Sequence, residues 1–337
     1  MQLAIGLGSG QTPTDRSGIA AMVDAAQMAE ELGFDAVVAP DHYVYEALGT
    51  LQTEAPAYEL FFVLATVAQR TTRLRLVSHV ACMLFRHPAM HARLFAQIDE
   101  ASGGRVVAGV GAGWTRAEFE MMGLPFPDVA ERLHIMDEAV TIMRGLWREE
   151  RFTFAGQHFR VTDAVCRPKP VQPGGPPLML GGSGNGVLRR AGEWADLIHM
   201  VPVLGPAGTT TIEEIRKFSD AALPSKLARV RAAEAAAGRP AGSVRFASTV
   251  FTCVPTTSAE HTQQVAEGLS GMFGLSADDT RKHPVVLVGT PEEMAAELRR
   301  RETTHGLSFL CINFSSLAHT QRFGEQVLPL LRAASEQ

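Results

Sequence analysis

The chain has 337 residues, 46% of them hydrophobic, a mean hydropathy near zero and a formal net charge of −5, the composition of a globular protein with a large core. The acidic balance and a pI of about 6.1 exclude a basic stripe that could neutralise phosphates, so no nucleic-acid or membrane partner is expected. Four cysteines, Cys82, Cys166, Cys253 and Cys311, form no C-x-x-C pair, and the chain opens directly on a strand pattern with no signal peptide ahead of it and no membrane-length apolar run. These features predict reduced thiols in a cytoplasmic protein.

In chain order, short apolar runs alternate with longer amphipathic ones. A strand over Leu3 to Leu7 leads to a helix carrying Ile19, Met22, Val23, Ala26, Ala29 and Leu32 at helical spacing, stopped by Gly33. A buried strand from Phe34 to Ala39 closes on Pro40-Asp41-His42, and a long loop follows. The helix Tyr58 to Gln69 precedes a strand over Leu74 to Val80, and Pro88 suits the first position of the next helix, which Gly103-Gly104 ends. The fourth strand, Arg105 to Val110, runs into Gly111-Ala112-Gly113-Trp114, and a strong helix ends near Trp147.

An interruption comes next. Residues Phe152 to Val161 read as a hairpin, and five prolines fall between Pro168 and Pro177. The alternation resumes with Leu178 to Leu180, the glycine loop Gly181-Gly182-Ser183-Gly184-Asn185-Gly186, its helix, and a sixth strand from Asp196 to Met200. After an irregular stretch and a polar helical region come a seventh strand, Val244 to Val254, and an eighth, Leu307 to Phe314. Between them, Thr290-Pro291-Glu292-Glu293 is a capping box, while Val285 to Gly289 does not fit the count cleanly.

Eight βα units predict an α/β fold, a (β/α)8 TIM barrel formed by residues 1–337 as one domain, with insertions near 151–177 and 202–243 lying across the barrel mouth. The competing fold is a doubly wound sheet, supported by Gly6-Leu7-Gly8-Ser9-Gly10 and Asp41. That fingerprint needs its last glycine at a helix start, and Gln11 to Ser17 intervene.

In a barrel the chemistry sits at the C-terminal ends of the strands. The candidates there are Ser9 and Gly10, Asp41-His42, Ser78-His79, Gly111 to Trp114, Gly181 to Gly184, His199, Cys253 and Asn313. Glycines leave room for a flat ligand, a helix start after a glycine loop suits a phosphate, and histidines titrate near neutral pH. The pair His87 and His91 has a metal-ligand spacing but no third ligand, so no metal is expected. There is no G-x-S-x-G elbow. A cofactor enzyme and a phosphate-ligand barrel, such as an aldolase or isomerase, both stay open on this chemistry.

The order and spacing of Pro40-Asp41-His42, Arg86-His87-Pro88, Gly109 to Trp114 with Glu118, Phe154 to Phe159, Pro168-Lys169-Pro170-Val171-Gln172, Gly181 to Gly184 and Val288 to Glu293 resemble the luciferase-like monooxygenase superfamily almost from end to end. Within it the chain looks most like the F420-dependent oxidoreductases, with FMN and reduced-flavin monooxygenase chemistry as the alternative. The resemblance implies that His42 is catalytic at the reactive edge of the deazaflavin. It also implies that Asp41, His42, Ser78, His79, Gly111, Ala112, Gly113, Gly181, Gly182, Ser183 and Gly184 bind the cofactor. It places a non-proline cis peptide at Ser78-His79, has Gly111 and Gly113 admit the ring, and gives Gly181 to Gly184 the phosphate. Trp114 stands where some sugar-phosphate dehydrogenases of the group carry an acidic glutamate, and Glu118 reads as structural. Trp114 and His199 are the substrate-binding candidates, and Trp114, Met83 and Phe85 imply an apolar or aromatic small-molecule substrate. A homodimer and a separate cofactor-reducing enzyme are further implications.

Overall fold

Eight short parallel strands, each preceded or followed by chain that turns back along the outside, close on themselves among the described residues. They are β1 (Gln2–Gly6), β2 (Ala36–Ala39), β3 (Arg75–Ser78), β4 (Val106–Gly111), β5 (Leu178–Gly181), β6 (Leu197–Met200), β7 (Arg245–Pro255) and β8 (Leu307–Phe314). Each pairs in parallel with the next, and β8 returns to β1 with Ala4 opposite Cys311. This is the (β/α)8 barrel. The computed structural model describes residues 1–8, 18–48, 50–203 and 209–333, so Ser9 and Gly10 lie outside the described residues.

Strand periodicity separates two cores. In β2, Ala36 and Val38 face the barrel interior while Val37 and Ala39 face the helices. Small Ala4, Ala36 and Ala247 interleave inside with bulky Met179 and Phe309. The larger outer core holds the apolar stripes of helices such as Gly18–Leu32, Pro88–Ser102 and Val129–Arg148. Met83 is fully buried in that outer layer. It packs between strands and helices, which corrects its expected place beside Trp114 in the pocket.

The local signals hold where they specify backbone geometry. Pro88 starts its helix, Gly103 ends it at φ 68°, and Thr290 and Glu293 make the capping box. The hairpin pairs Phe152–Ala155 with Arg160–Ala164, and its turn is held by the Glu138 carboxylate, which accepts from the N–H groups of Gln157, His158 and Phe159. Buried Asp99 accepts from Val171 N, Gln172 N and Gln172 Nε2, tying the proline-rich stretch to the barrel wall.

Two features differ from expectation. The unassigned run is a strand, Val286–Gly289, that among the described residues pairs with β7 alone, Thr252 opposite Val286. It exists because β7, 11 residues long, outruns its barrel neighbours and leaves an edge to cover. The loop after β2 contains a small antiparallel pair, Tyr45–Ala47 with Thr50–Gln52.

Candidate active site

His42 follows β2 at the C-terminal mouth of the barrel. Its Nδ1 lies 3.0 and 3.1 Å from the two carboxylate oxygens of Glu118. Glu118 is 1% exposed, and its Oε1 also accepts from Tyr43 N at 2.7 Å and Val44 N at 3.1 Å. The short helix Arg116–Met121 therefore carries a carboxylate across 76 residues of sequence to lock the chain after β2. An imidazole that donates Nδ1–H to this carboxylate keeps Nε2 for proton exchange with a bound ligand. The Trp114 ring stands edge-on to His42 at 5.6 Å, and Tyr45 lies 5.6 Å away on another side.

Asp41 is nearly buried. Arg86 grips it with two nitrogens, at 2.8 and 2.9 Å, and Cys82 N donates to it at 2.9 Å. Such a bidentate pair fixes the peptide leading to His42. Phe85 packs beside this cluster, against Tyr43 and Phe119.

The chain between β3 and Ala81 forms a bulge that presents His79. Ser78 is fully buried and donates Oγ–H to Gly109 O at 2.7 Å. His79 N still donates to Ala39 O, so the β2–β3 ladder runs one residue beyond Ser78. The non-proline cis peptide accordingly lies at His79-Val80, one bond later than the expected Ser78-His79. A Cβ on Gly109 would sit 1.9 Å from Ser78 O, one on Gly111 2.7 Å from Val80, and one on Gly181 3.0 Å from Val80. Three neighbouring glycines thus make the recess for this bulge. At Gly113, which has φ +72°, the absent side chain leaves room for Phe119 and Cys82. The space expected for a ring at 111 and 113 is filled by protein side chains. Ala112 is half-buried between them.

His79 meets two residues of the facing wall. Its Nε2 is 3.0 Å from Nε2 of His199 in β6 and 3.4 Å from Oγ1 of Thr249 in β7, and His199 Nε2 is 2.8 Å from the same hydroxyl. Burial, and then the nearby His42, pull His79 down to about 4, and burial with His79 holds His199 well below its ordinary value. Both rings are neutral at pH 7.

The glycine loop has the form of an anion cradle. Gly184 caps the helix Asn185–Trp194 without any side-chain hydrogen bond, and nothing within 4 Å fills the space beside it. Gly182, at φ +128°, donates its N–H to His199 O, and Ser183 turns its hydroxyl to the backbone of Val201. Ser183 can therefore contribute its main chain more readily than its side chain. Lys226 reaches Ser183 O at 3.3 Å and Arg229 bonds Asn185. Two cations beside an uncapped helix start fit a phosphate.

Sequence reasoning missed the Glu118 clamp, Lys226 and Thr249. Each lies on an element far from its partner in sequence, and only Glu118, near Trp114, carried any signal. Of the other candidates, Cys253 is fully buried in the outer core and burial pushes its thiol up. The Asn313 amide occupies the position a Gly6 side chain would take. His91 is fully buried against Phe61 while His87 caps its helix by accepting from Ala89 N. No group of three metal-ligating side chains occurs among the described residues, and no described helix is long and apolar enough to cross a membrane.

An F420-dependent glucose-6-phosphate dehydrogenase of Amycolatopsis mediterranei (strain U-32) is 29% identical over 93% of this chain and 94% of its own length. One from Intrasporangium calvum is 35% identical over 178 residues, so the match spans about half of each chain, 52%. The structure of an F420-dependent secondary alcohol dehydrogenase in complex with an F420-acetone adduct superposes with a TM-score of 0.75 over 98% of this chain and 99% of that one, at 21% identity. Residues 1–308 match the family described as luciferase-like monooxygenase, and the chain belongs to that family.

Proposed function

We propose that the protein is an F420-dependent oxidoreductase that transfers a hydride between the deazaflavin and an uncharged organic substrate, with His42 exchanging the accompanying proton. The observation that carries this reading is His42 held by a buried carboxylate at Nδ1, at the barrel mouth, with Trp114 beside it and an anion cradle across the opening. The similarity to F420-dependent enzymes supports the cofactor. F420 supplies or accepts the hydride when bound. The uncapped start of the helix at Gly184, with Lys226, would hold its phosphate, and Ala112 with the His79-Val80 bulge would receive its ring. Glu118 keeps one face of His42 fixed, Nε2 gives or takes a proton, and Trp114 with Tyr45 shields the reacting atoms from water. Asp41 and Ser78 act through the backbone they fix. His199 and Trp114 face the substrate. A homodimeric assembly and a separate enzyme that recycles the cofactor belong to the same proposal.

Of the three tryptophans, Trp114 lies beside His42, Trp147 is buried and donates to Ala92 O in the outer core, and Trp194 packs under Arg144 at the far end of the helix that starts at the glycine loop. Cofactor titration followed by tryptophan fluorescence is therefore a direct test. F420 binds in the micromolar range and FMN at least about tenfold more weakly, a gap of about 1.4 kcal/mol. The reverse preference defeats the F420 reading and makes oxygen consumption with reduced FMN the activity to measure. His42→Ala keeps F420 affinity within about threefold and lowers turnover at least about 100-fold. Unchanged turnover removes His42 from the mechanism.

A further inference from the structure

The end of the barrel away from His42, where the strands begin, carries an unbalanced group of arginines. Strand alternation turns Arg75, two residues before inward-facing Val77, and Arg245, two before inward-facing Ala247, toward the barrel axis. The register agrees, with Arg75 opposite Ala36 and Arg245 opposite Leu197, both of which face inward. As third and seventh of eight strands, β3 and β7 lie across the barrel from each other, so the two guanidinium groups share one floor.

That floor is short of acceptors. Nε and Nη2 of Arg75 are buried with no hydrogen-bond partner. Burial, and then the charge of Arg245, pull Arg75 below its ordinary value, and Asp99 offsets only part of this. The Asp99 oxygens are taken by Val171 N, Gln172 N and Gln172 Nε2.

A cleft of about 490 Å³ opens beside Arg245, lined also by Arg144 and Arg148 from the last turns of the helix Val129–Arg148 and by the turn at Gly174 and Gly175. Arg144 donates one N–H to Trp194 O and Arg148 donates Nε–H to Gly174 O, which leaves both with N–H groups to offer. Asp196 is the one carboxylate in the lining, and its Oδ2 accepts from Leu178 N. None of these four arginines forms an ion pair among the described residues. Guanidinium forks match the oxygens of phosphates and carboxylates, and a ligand of two or more negative charges would relieve the repulsion that a neutral one would leave.

We propose that this mouth of the barrel is a binding site for a small, multiply charged oxyanion, a phosphate ester or a polycarboxylate, held by Arg75, Arg245, Arg144 and Arg148. Its ligand bridges β3 and β7 and takes no part in the hydride step. The site stands whether the catalytic mouth takes F420 or FMN.

The test uses the full chain without cofactor, with pyrophosphate and citrate as probes. The Nε–H signals of Arg75 and Arg245, assigned by NMR with Arg75→Leu and Arg245→Gln, should both shift as either probe is added, with a Kd below about 1 mM for at least one of them. The tighter probe identifies the source of the oxyanion as phosphate or carboxylate. Urea midpoints should rise with the probe and stay put in potassium chloride of equal ionic strength. Arg245→Gln, at an exposed position, should keep the native midpoint in chloride and weaken binding at least about tenfold. Lys226→Gln, at the opposite mouth, should leave the Arg75 response as it is. Silent Arg75 and Arg245 signals with both probes, an equal effect of chloride, unchanged affinity in Arg245→Gln, or an Arg75 response lost in Lys226→Gln would each overturn the proposal.

Discussion

Glu118→Gln separates the geometric role of the buried carboxylate from its charge. The amide is nearly the same shape, and its oxygen can still accept from Tyr43 N and Val44 N, bonds of 2.7 and 3.1 Å in the native chain. Its nitrogen then faces His42 Nδ1, where an acceptor stood at 3.0 Å. An N–H pointing at Nδ1 forces the opposite imidazole tautomer and places a hydrogen on Nε2. The loop should therefore survive at a cost of about 1 kcal/mol, while Glu118→Ala, which strips the acceptor from three donors, should cost about 3 kcal/mol or more. Turnover of Glu118→Gln should fall about 100-fold, equivalent to about 2.7 kcal/mol of barrier, with F420 affinity nearly unchanged. Urea unfolding, single-turnover absorbance of F420 and imidazole NMR read the three effects separately. If Glu118→Gln turned over within about threefold of wild type while His42→Ala was crippled, the carboxylate would be a loop clamp and no part of the proton chemistry.

Other outcomes follow from burial and space. His91 is buried and burial holds it near 3 against an ordinary 6.5, so below about pH 6.5 the unfolded chain takes up a proton that the folded chain refuses. Stability is fully present above pH 6.5 and declines as the pH falls; between pH 6.5 and 5 this residue should account for about 2 kcal/mol. Denaturant midpoints of His91→Leu should show a correspondingly shallower acid slope, and equal slopes would refute the assignment. Gly109→Ala puts a methyl 1.9 Å from Ser78 O and should lose about 3 kcal/mol of unfolding free energy. Gly184→Ala enters open space and should lose less than about 1 kcal/mol while weakening F420 binding through the crowded cradle. Equal losses at the two glycines would remove the packing argument.

The barrel was legible because its signals are local. Apolar runs such as Ala36 to Ala39, glycine stops at Gly33 and Gly103, and the Thr290 cap each act over a few residues. What stayed hidden depends on partners distant in sequence. The run Val285 to Gly289 does not fit the strand count in sequence, because the length of β7 decides where it pairs. Glu118 looks like an ordinary helix residue until Arg116–Met121 is seen to turn it under Tyr43 and Val44. The glycines at 109, 111 and 181 were visible as special positions. Their occupant, the turn at Ser78 to Val80, comes from a different strand and leaves no mark in the glycine spacing itself.

That recess makes position 80 the key to its neighbours. Gly111 and Gly181 belong to different strands, yet both meet the Val80 side chain, at 2.7 and 3.0 Å from where a methyl would stand. A genetic selection started from Gly111→Ala should therefore recover second-site suppressors at residue 80, Val80→Ala or Val80→Gly, and the same suppressors should also tolerate Gly181→Ala. Three positions scattered along the chain would then behave in inheritance as one locus.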